Sequence, residues 1–559
     1  MYFFIINYFC LSAEYPNVAI ILDDLFGSLI QTNETVKVLF HYPHGIMYSI
    51  DKYNELHINM TSRRYKSVSN RQQISLLPPS IEDYVHETNS VRAIDAYVET
   101  LDLAKQGFQN TAGGICAGQP AYPPEALLKL YLYGYTNKVR SRRRLESETC
   151  RNLEVIWLVE ELRPSYKTIA DFRKNNSKAL TATNRDFVLL CKDLQLFGGE
   201  TLGIDGSFFK ADASKAGIYT EKKLNQQLQQ LEDKINSYLE QLAAQDEADN
   251  LAGLGSLTED RQLNEKITTL KEKQAIKKAL QKRLQESDSK QISTVDPDAR
   301  LLSKRGQTIA GYNVQIAVDA KHKLIVAEAV TQDGNDTQQL MPMIDKAQAI
   351  LASTNLTVLA DSGYYEGNQI KQCEDQHIIA YVAIPDKSKA IKAQGRYTRD
   401  QFKYNIEGDA YTCPQGMPLT RYGTPHQINN KNYARYKSKV SACKQCPVRS
   451  QCLTDKATSK QLMRWEHEDV AERHQNRMQN SKGIMRQRGA LVEHPFGTLK
   501  RRAGWDHFLM RGLEKSTGEF SLMVLGYNFT RVLNILGIGT LRDYCVQRSK
   551  NKTANLGFA

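Results

Sequence analysis

Thr201-Leu-Gly-Ile-Asp205-Gly-Ser-Phe-Phe-Lys210 is a short apolar run of strand type in which one carboxylate, Asp205, breaks the side-chain alternation and a glycine follows at once. Leu356-Thr-Val-Leu-Ala-Asp361-Ser-Gly363 repeats the design: a buried-strand pattern, then Asp, then a turn containing glycine. An Asp that opens a turn is the plain reading of either stretch. Two such strands, each with its Asp after an apolar run, also read as a carboxylate pair held at the edge of a central sheet. Oxygen ligands on rigid strands suit Mg²⁺ or Mn²⁺ with positions left open for phosphate.

Outward from Asp361 the pattern is regular. Gly311-Tyr-Asn-Val-Gln-Ile-Ala-Val-Asp319 and Leu324-Ile-Val-Ala-Glu-Ala-Val330 predict a hairpin joined by Ala320-Lys-His-Lys323. Residues 336–351 read as a helix, and Ile378-Ile-Ala-Tyr-Val-Ala-Ile384 as a further strand. Strand, hairpin, helix, strand, helix, strand is the order of a mixed five-stranded sheet of the ribonuclease H-like kind, with Asp205 and Asp361 on neighbouring central strands. The fold class is therefore mixed α/β, with the catalytic sheet assembled from residues 196–220, 290–385 and 480–540.

Two insertions interrupt it. In 221–289, Leu224, Leu228, Leu231, Ile235, Leu239 and Leu242 alternate steps of four and three, and Leu263, Ile267 and Leu270 resume the pattern after a Gly/Ala/Asp stretch at 243–256. This predicts an antiparallel helical hairpin, with an intermolecular coiled coil as the alternative. The other insertion, 386–479, is basic and Tyr-rich and holds Cys413, Cys443, Cys446 and Cys452. Four thiolates can bind Zn²⁺ and fold a loop too polar to bury a core; unligated thiols in a reducing cytosol are the alternative. The other six of the ten cysteines are scattered, which is not the spacing of a secreted disulfide scaffold.

Before the first strand, residues 60–195 are helical. Val91, Ile94, Tyr97, Val98 and Leu101 form one stripe, and Pro123-Pro124 fits the first turn of a helix from Glu125 to Gly134. Lys138-Val-Arg140-Ser-Arg142-Arg143-Arg144 places five cations in seven residues, and Ser165–Lys174 reads as a short amphipathic helix. Successive small basic helices point to a helix-turn-helix-like, all-α DNA-binding domain, the plainer alternative being a bundle with a solvated cationic face. A net charge of +12 over 559 residues favours a polyanionic partner, nucleic acid ahead of membrane. No stretch reads as a membrane span or secretory signal, and a cytoplasmic protein is expected. Residues 1–59, rich in Tyr, Ile and Asn without a period, read as an atypical extension, with the working protein expected to begin near Met60; 541–559 reads as a tail.

Met485-Arg486-Gln-Arg488-Gly489-Ala-Leu-Val-Glu493-His-Pro495-Phe-Gly-Thr-Leu-Lys500-Arg501-Arg supplies a third acid. In a continuous helix Arg486, Glu493 and Lys500 share a face, so Glu493 could close a metal site while the cations hold phosphates. Pro495 inside a helix costs ~3 kcal/mol and kinks it. Either the kink positions Glu493, or the helix begins here and Arg486 faces elsewhere. A surface ion-pair face is the commoner fate of a lone Glu between cations.

Several of these pieces resemble one family. Leu76–Tyr84, Leu127–Tyr135, Arg142–Glu146, Thr168–Arg173, Gly203–Gly206, Ala360–Tyr365 and Val492–Gly497 are similar to bacterial insertion-sequence transposases of the DDE type, specifically the insertion-sequence 1182 group. The resemblance implies that Asp205, Asp361 and Glu493 form a catalytic triad holding two Mg²⁺ (or Mn²⁺). It also implies a zinc-ribbon-like Cys413, Cys443, Cys446, Cys452 region. Its partners would be double-stranded DNA with terminal inverted repeats and target DNA, without a membrane, bound by a homodimer in the active complex. Arg488, Lys500 and Arg501 would grip DNA phosphates, beside Arg140, Arg142, Arg143 and Arg144 of the helical region. Trp505 would either stack on a distorted base or sit in the core. Of the family's Tyr-x2-Arg-x3-Glu-x6-Lys signature only Glu493 and Lys500 are met; Arg486 and Gly489 stand at the other two places. The expected activity is cleavage and joining of DNA, against two alternatives: a metal-dependent nuclease that does not join, and a catalytically silent DNA-binding protein.

Overall fold

The computed structural model describes residues 80–110, 120–252 and 257–556, apart from positions 288, 305, 354, 387 and 482, together with four short strands before residue 60. Those strands, Phe3–Asn7, Lys37–His41, Met47–Ser49 and His57–Asn59, pair in that order, the first two parallel and the rest antiparallel. They belong to a unit, Met1–Pro79, distinct from Ser80–Ala559. The expected start at Met60 lies outside the described residues.

In the second unit five longer helices, α1 (Ser90–Glu99), α2 (Pro124–Thr136), α3 (Arg142–Arg151), α4 (Tyr166–Asn175) and α5 (Ser177–Asp193), precede the first strand of the central sheet, with the short helices Leu103–Gln106 and Leu153–Leu158 between them. Local chemistry sets their starts. Asn89 caps α1 by accepting from the Val91 N–H at 3.0 Å, and Pro124 supplies the fixed φ of the first turn of α2. The α1 stripe is buried, and α2 is buried nearly all round from Leu127 to Tyr135.

The central sheet takes β1 (Thr201–Lys210), β2 (Arg300–Lys304), β3 (Gln307–Asp319), β4 (Ile325–Thr331), β5 (Thr357–Ala360) and β6 (Ile379–Val382) in the order β4-β3-β1-β5-β6, with β2 extending β3. β1, β5 and β6 are parallel, and β3 runs antiparallel to β1 and to its hairpin partner β4. The sixth strand, β2, is the one strand of this sheet that the apolar pattern did not announce. Between β1 and β2, helices α6 (Glu221–Ala252) and α7 (Leu257–Gln285) pack on each other. Gln281 donates to Asn225 at 2.6 Å, and Leu224 is buried against Leu280 and Leu284, so the two run antiparallel as a hairpin.

Helices α8 (Leu340–Leu351) and α9 (Gly367–Asp375) flank the sheet, and α10 (Glu468–Asn480) returns to β6, where His474 Nε2 lies 2.8 Å from the Val382 carbonyl. The 386–479 insertion is a correction to the expected core-less loop. Its strands Lys403–Asn405, Ala410–Thr412, Pro418–Arg421, Lys431–Ser438, His426–Ile428 and Gln461–Trp465 form an antiparallel sheet. Phe402, Tyr411, Leu419 and Tyr436 bury a small core on it, because tyrosine rings pack while their hydroxyls find partners such as Asp409.

Three further helices end the described chain: α11 (Ile484–Phe496), α12 (Leu513–Leu536) and α13 (Ile538–Leu556). Every residue of α12 from Gly518 to Phe529 is buried, the polar Glu519, Ser521 and Asn528 included. It lies between the first helices and the sheet. Phe529 meets Tyr97 and Phe187, while the Asn528 amide pairs with both backbone groups of Ile325 on β4. The helical region thus shares one core with the sheet instead of standing as a separate domain. The expected tail is also corrected. Leu541 and Cys545 of α13 are fully buried, and Arg548 forks onto Asp186 of α5 at 2.8 and 2.9 Å. Among the described residues no single helix is long and apolar enough to cross a membrane.

Candidate active site

Parallel pairing of β1 and β5 matches Gly203 with Leu359; Asp205 and Asp361 each lie two residues further on. The register therefore brings the two carboxylates side by side. Asp361 directly follows β5 and caps the next turn, accepting from the Gly363 N–H at 2.8 Å. Asp205 is more enclosed. Burial, reinforced by the Asp361 charge, pushes its carboxyl up to about 6, although Arg488 pulls the other way.

Arg488 of α11 is the cation of this site. Its Nη2 stands 2.5 Å from Asp205 Oδ1 and 3.8 Å from Asp361 Oδ2. α11 can lie this close because Gly203 has no side chain: a Cβ there would be 2.9 Å from Val492. Arg488, expected on a DNA phosphate, is here on the two acids.

Glu493 follows Val492 on the same helix and is exposed, with Oε1 3.4 Å from where a Cβ on Gly489 would be. Its carboxylate thus folds back toward the turn that carries Arg488, but it is not bonded to either aspartate. Among the described residues no three His, Cys, Asp or Glu side chains are grouped to hold a metal ion. Pro495 is accommodated at the end of α11, and the chain continues as a wide π-helical turn, Gly497–Arg502. That turn breaks the seven-residue face. Lys500 is carried inward, where its ammonium donates to the Phe208 carbonyl at 2.6 Å and lies 4.4 Å from the Phe209 ring centroid. Burial lowers its pKa to about 8. Arg501 stays exposed.

The basic cluster divides. Arg142, Arg143 and Arg144 are exposed at the start of α3, the first two over the Tyr166 ring. Arg140 is not a surface group: it donates to the His507 carbonyl at 2.8 Å and lies 3.8 Å from the fully buried Glu519. A buried carboxylate needs cations beside it, and Arg140 and Arg173 serve that need. Trp505 is likewise core, edge-on to Tyr135 at 5.1 Å.

Cys413, Cys443, Cys446 and Cys452 line one cavity of about 240 Å³. Burial raises the Cys452 thiol, and the other three sulfurs add to the shift, so the four face a common space.

One acid of the site escaped the sequence reading. Asp336, in the loop between β4 and α8, is buried with its carboxylate against Gly206 and Gly363, the glycines that follow the two aspartates. The only signal was those glycines themselves.

Two family descriptions match this chain: Transposase DDE domain over residues 412–533, and Transposase domain (DUF772) over 79–175. Glu493, Lys500 and the four cysteines fall within the first match; Asp205 and Asp361 lie outside both. No curated protein matches the chain. The two matches, one on the first helices and one running from the Cys-rich sheet into α12, together indicate a transposase.

Proposed function

We propose that the chain cuts and rejoins DNA at the ends of an insertion sequence of the 1182 group, using Asp205, Asp361 and Glu493. The observation that carries this is the pair of carboxylates on adjacent parallel strands converging on one positive group, Arg488. The strand order β4-β3-β1-β5-β6 supports a ribonuclease H-like reading of the sheet.

Two hard oxygen ligands that already share a cation fit Mg²⁺ or Mn²⁺. Asp205 and Asp361 would hold it, with Glu493 reaching in from α11. Such ions would supply activation of water or a 3′-hydroxyl and neutralisation of the leaving oxygen. Arg488, once a cation took its place on the acids, would be free to pair with a DNA phosphate. Arg501 and the Arg142–Arg144 face hold the backbone, an interaction that fixes position without reading sequence. Lys500 braces the end of β1 through Phe208. Cys413, Cys443, Cys446 and Cys452 would hold a structural Zn²⁺ that stiffens the small sheet. Terminal inverted repeats, a homodimeric DNA complex and a cytoplasmic setting complete the reading.

Asp205→Asn tests it. Mg²⁺-dependent nicking of a DNA end should vanish while binding of that end stays within a few-fold; cleavage that survives refutes the assignment. Joining of pre-cut ends distinguishes a transposase from a nuclease.

A further inference from the structure

One side chain, Asp336, stands close to both glycines that follow the paired aspartates. A Cβ on Gly206 would meet Gln315 Nε2 at 2.4 Å and Asp336 Oδ1 at 2.6 Å. A Cβ on Gly363 would meet Asp361 Oδ1 at 3.0 Å and Asp336 Oδ2 at 3.3 Å. Asp336 therefore fills the space between the two Asp-bearing turns, and its second oxygen and Asp361 Oδ1 both lie within 3.3 Å of one point.

The contacts of Asp336 lead to both acids. Its Oδ1 accepts from Asn313 Nδ2 at 2.8 Å and from Gln315 Nε2 at 2.7 Å, two residues of β3 that face Phe208 and Gly206 of β1 across the ladder. The oxygen of the Gln315 amide accepts from the Tyr364 hydroxyl, and Tyr364 is fully buried in the turn that Asp361 caps. A continuous path thus runs from Gly206, beside Asp205, through Gln315 and Tyr364 to Asp361. Asp336 fixes the amide in the middle of it. Its other oxygen pairs only with the half-exposed Lys304, 3.7 Å away, among the described residues. Asn313 Oδ1, buried beside it, has no hydrogen-bond partner among the described residues. A fold that needed only packing here would be better served by an apolar side chain, since a buried carboxylate next to two others is costly.

We propose that Asp336 is a positioning residue of this site: through Gln315 and Tyr364 it sets the separation of Asp205 and Asp361, and so how tightly the pair takes a divalent cation. The proposal rests on the reading of Asp205 and Asp361 as cation ligands. Groups that orient metal ligands from behind typically change metal affinity 10–100-fold when removed.

The test uses the full chain, purified metal-free, with Mn²⁺ binding read by titration calorimetry in the absence of DNA and folding read by thermal melting. Asp336→Asn keeps shape and keeps one acceptor for Asn313 and Gln315. Tyr364→Phe keeps the ring and cuts the path to Asp361, so it covers the case in which the first variant fails to fold. Asp205→Asn is the reference. Expected are loss of Mn²⁺ binding in Asp205→Asn and roughly tenfold weaker binding in Asp336→Asn and Tyr364→Phe, with melting close to that of the parent. In end cleavage the same two variants should need more Mn²⁺ for half-maximal rate, with the saturated rate less affected. Parent-like Mn²⁺ affinity in both variants, with binding lost in Asp205→Asn, overturns the positioning role alone. Parent-like affinity in Asp205→Asn overturns the ligand reading and this proposal with it.

Discussion

Arg488 Nη2 lies 2.5 Å from Asp205 Oδ1, so the more enclosed of the two acids is neutralised by a side chain from a helix that begins nearly 300 residues later. The same guanidinium lies 3.8 Å from Asp361. It is thus the cationic group that faces both carboxylates.

Removing that arginine leaves two carboxylates facing each other. Arg488→Gln should therefore destabilise the metal-free protein by ~2 kcal/mol, short of the 3–5 kcal/mol typical of a fully buried pair because both side chains retain some solvent contact. Mn²⁺ should restore more stability to the variant than to the parent. Thermal melts with chelator and with Mn²⁺ check this; equal metal responses in the two proteins would contradict it.

Proton competition follows from Asp205. Its carboxyl is raised to about 6 by burial and by Asp361, against an ordinary value of 3.8. An acid raised in the folded state binds its proton more tightly there than in the unfolded chain. Metal-free stability should therefore fall as pH rises between about 4 and 6, by at most ~3 kcal/mol from this group. Asp205→Asn should remove that slope. Divalent-cation affinity should fall about tenfold per pH unit once the pH drops below about 6, measurable by Mn²⁺ titration across pH.

Lys500 gives the opposite dependence. Burial depresses it to about 8 from 10.5. The unfolded chain then holds the proton more tightly, so stability should rise as pH increases from 8 toward 10.5. Lys500→Met should flatten this rise in urea melts taken across that range.

On the proposed reading, the split basic cluster separates DNA binding from folding. Replacing Arg142, Arg143 and Arg144 together by alanine should leave melting within a degree or two and lower the salt slope of DNA binding by about three. Arg140→Met should do the reverse, costing ~3 kcal/mol of stability by leaving Glu519 short of a cation. Fluorescence anisotropy at several salt concentrations and chemical denaturation read the two effects.

What could be read in the chain beforehand was whatever rests on periodicity. The alternation from Gly311 to Val330 is present as β3 and β4, and the four-and-three leucine steps as α6 and α7. The runs before Asp205 and Asp361 gave neighbouring strands because parallel buried strands are continuously apolar. What periodicity does not encode was missed. Asp336 lies in Asp333-Gly-Asn-Asp-Thr, whose composition is that of any surface turn, and its burial comes from long-range contacts with Asn313 and Gln315. Arg140 looks identical to its neighbours until Glu519, far along the chain, arrives beside it. The Cys-rich segment hid its sheet because its core is small and half of it is tyrosine, Tyr411 and Tyr436 beside Phe402 and Leu419. The π-helical turn after Pro495 moved Lys500 off the face on which straight-helix geometry had put it.

Glu519 joins regions that would otherwise move apart. It receives Arg173 of α4, lies beside Arg140 just ahead of α3, and accepts the N–H groups of Leu509 and Met510. The adjoining Asp506–Phe508 segment is in turn laced to Lys210 at the end of β1. A tilt of the arginine-bearing helix under the load of a DNA strand would therefore be felt at the strand that carries Asp205. On the proposed reading, grip and chemistry would be geared together through a single buried carboxylate, and loosening that joint should blur where the cut falls before it weakens the hold.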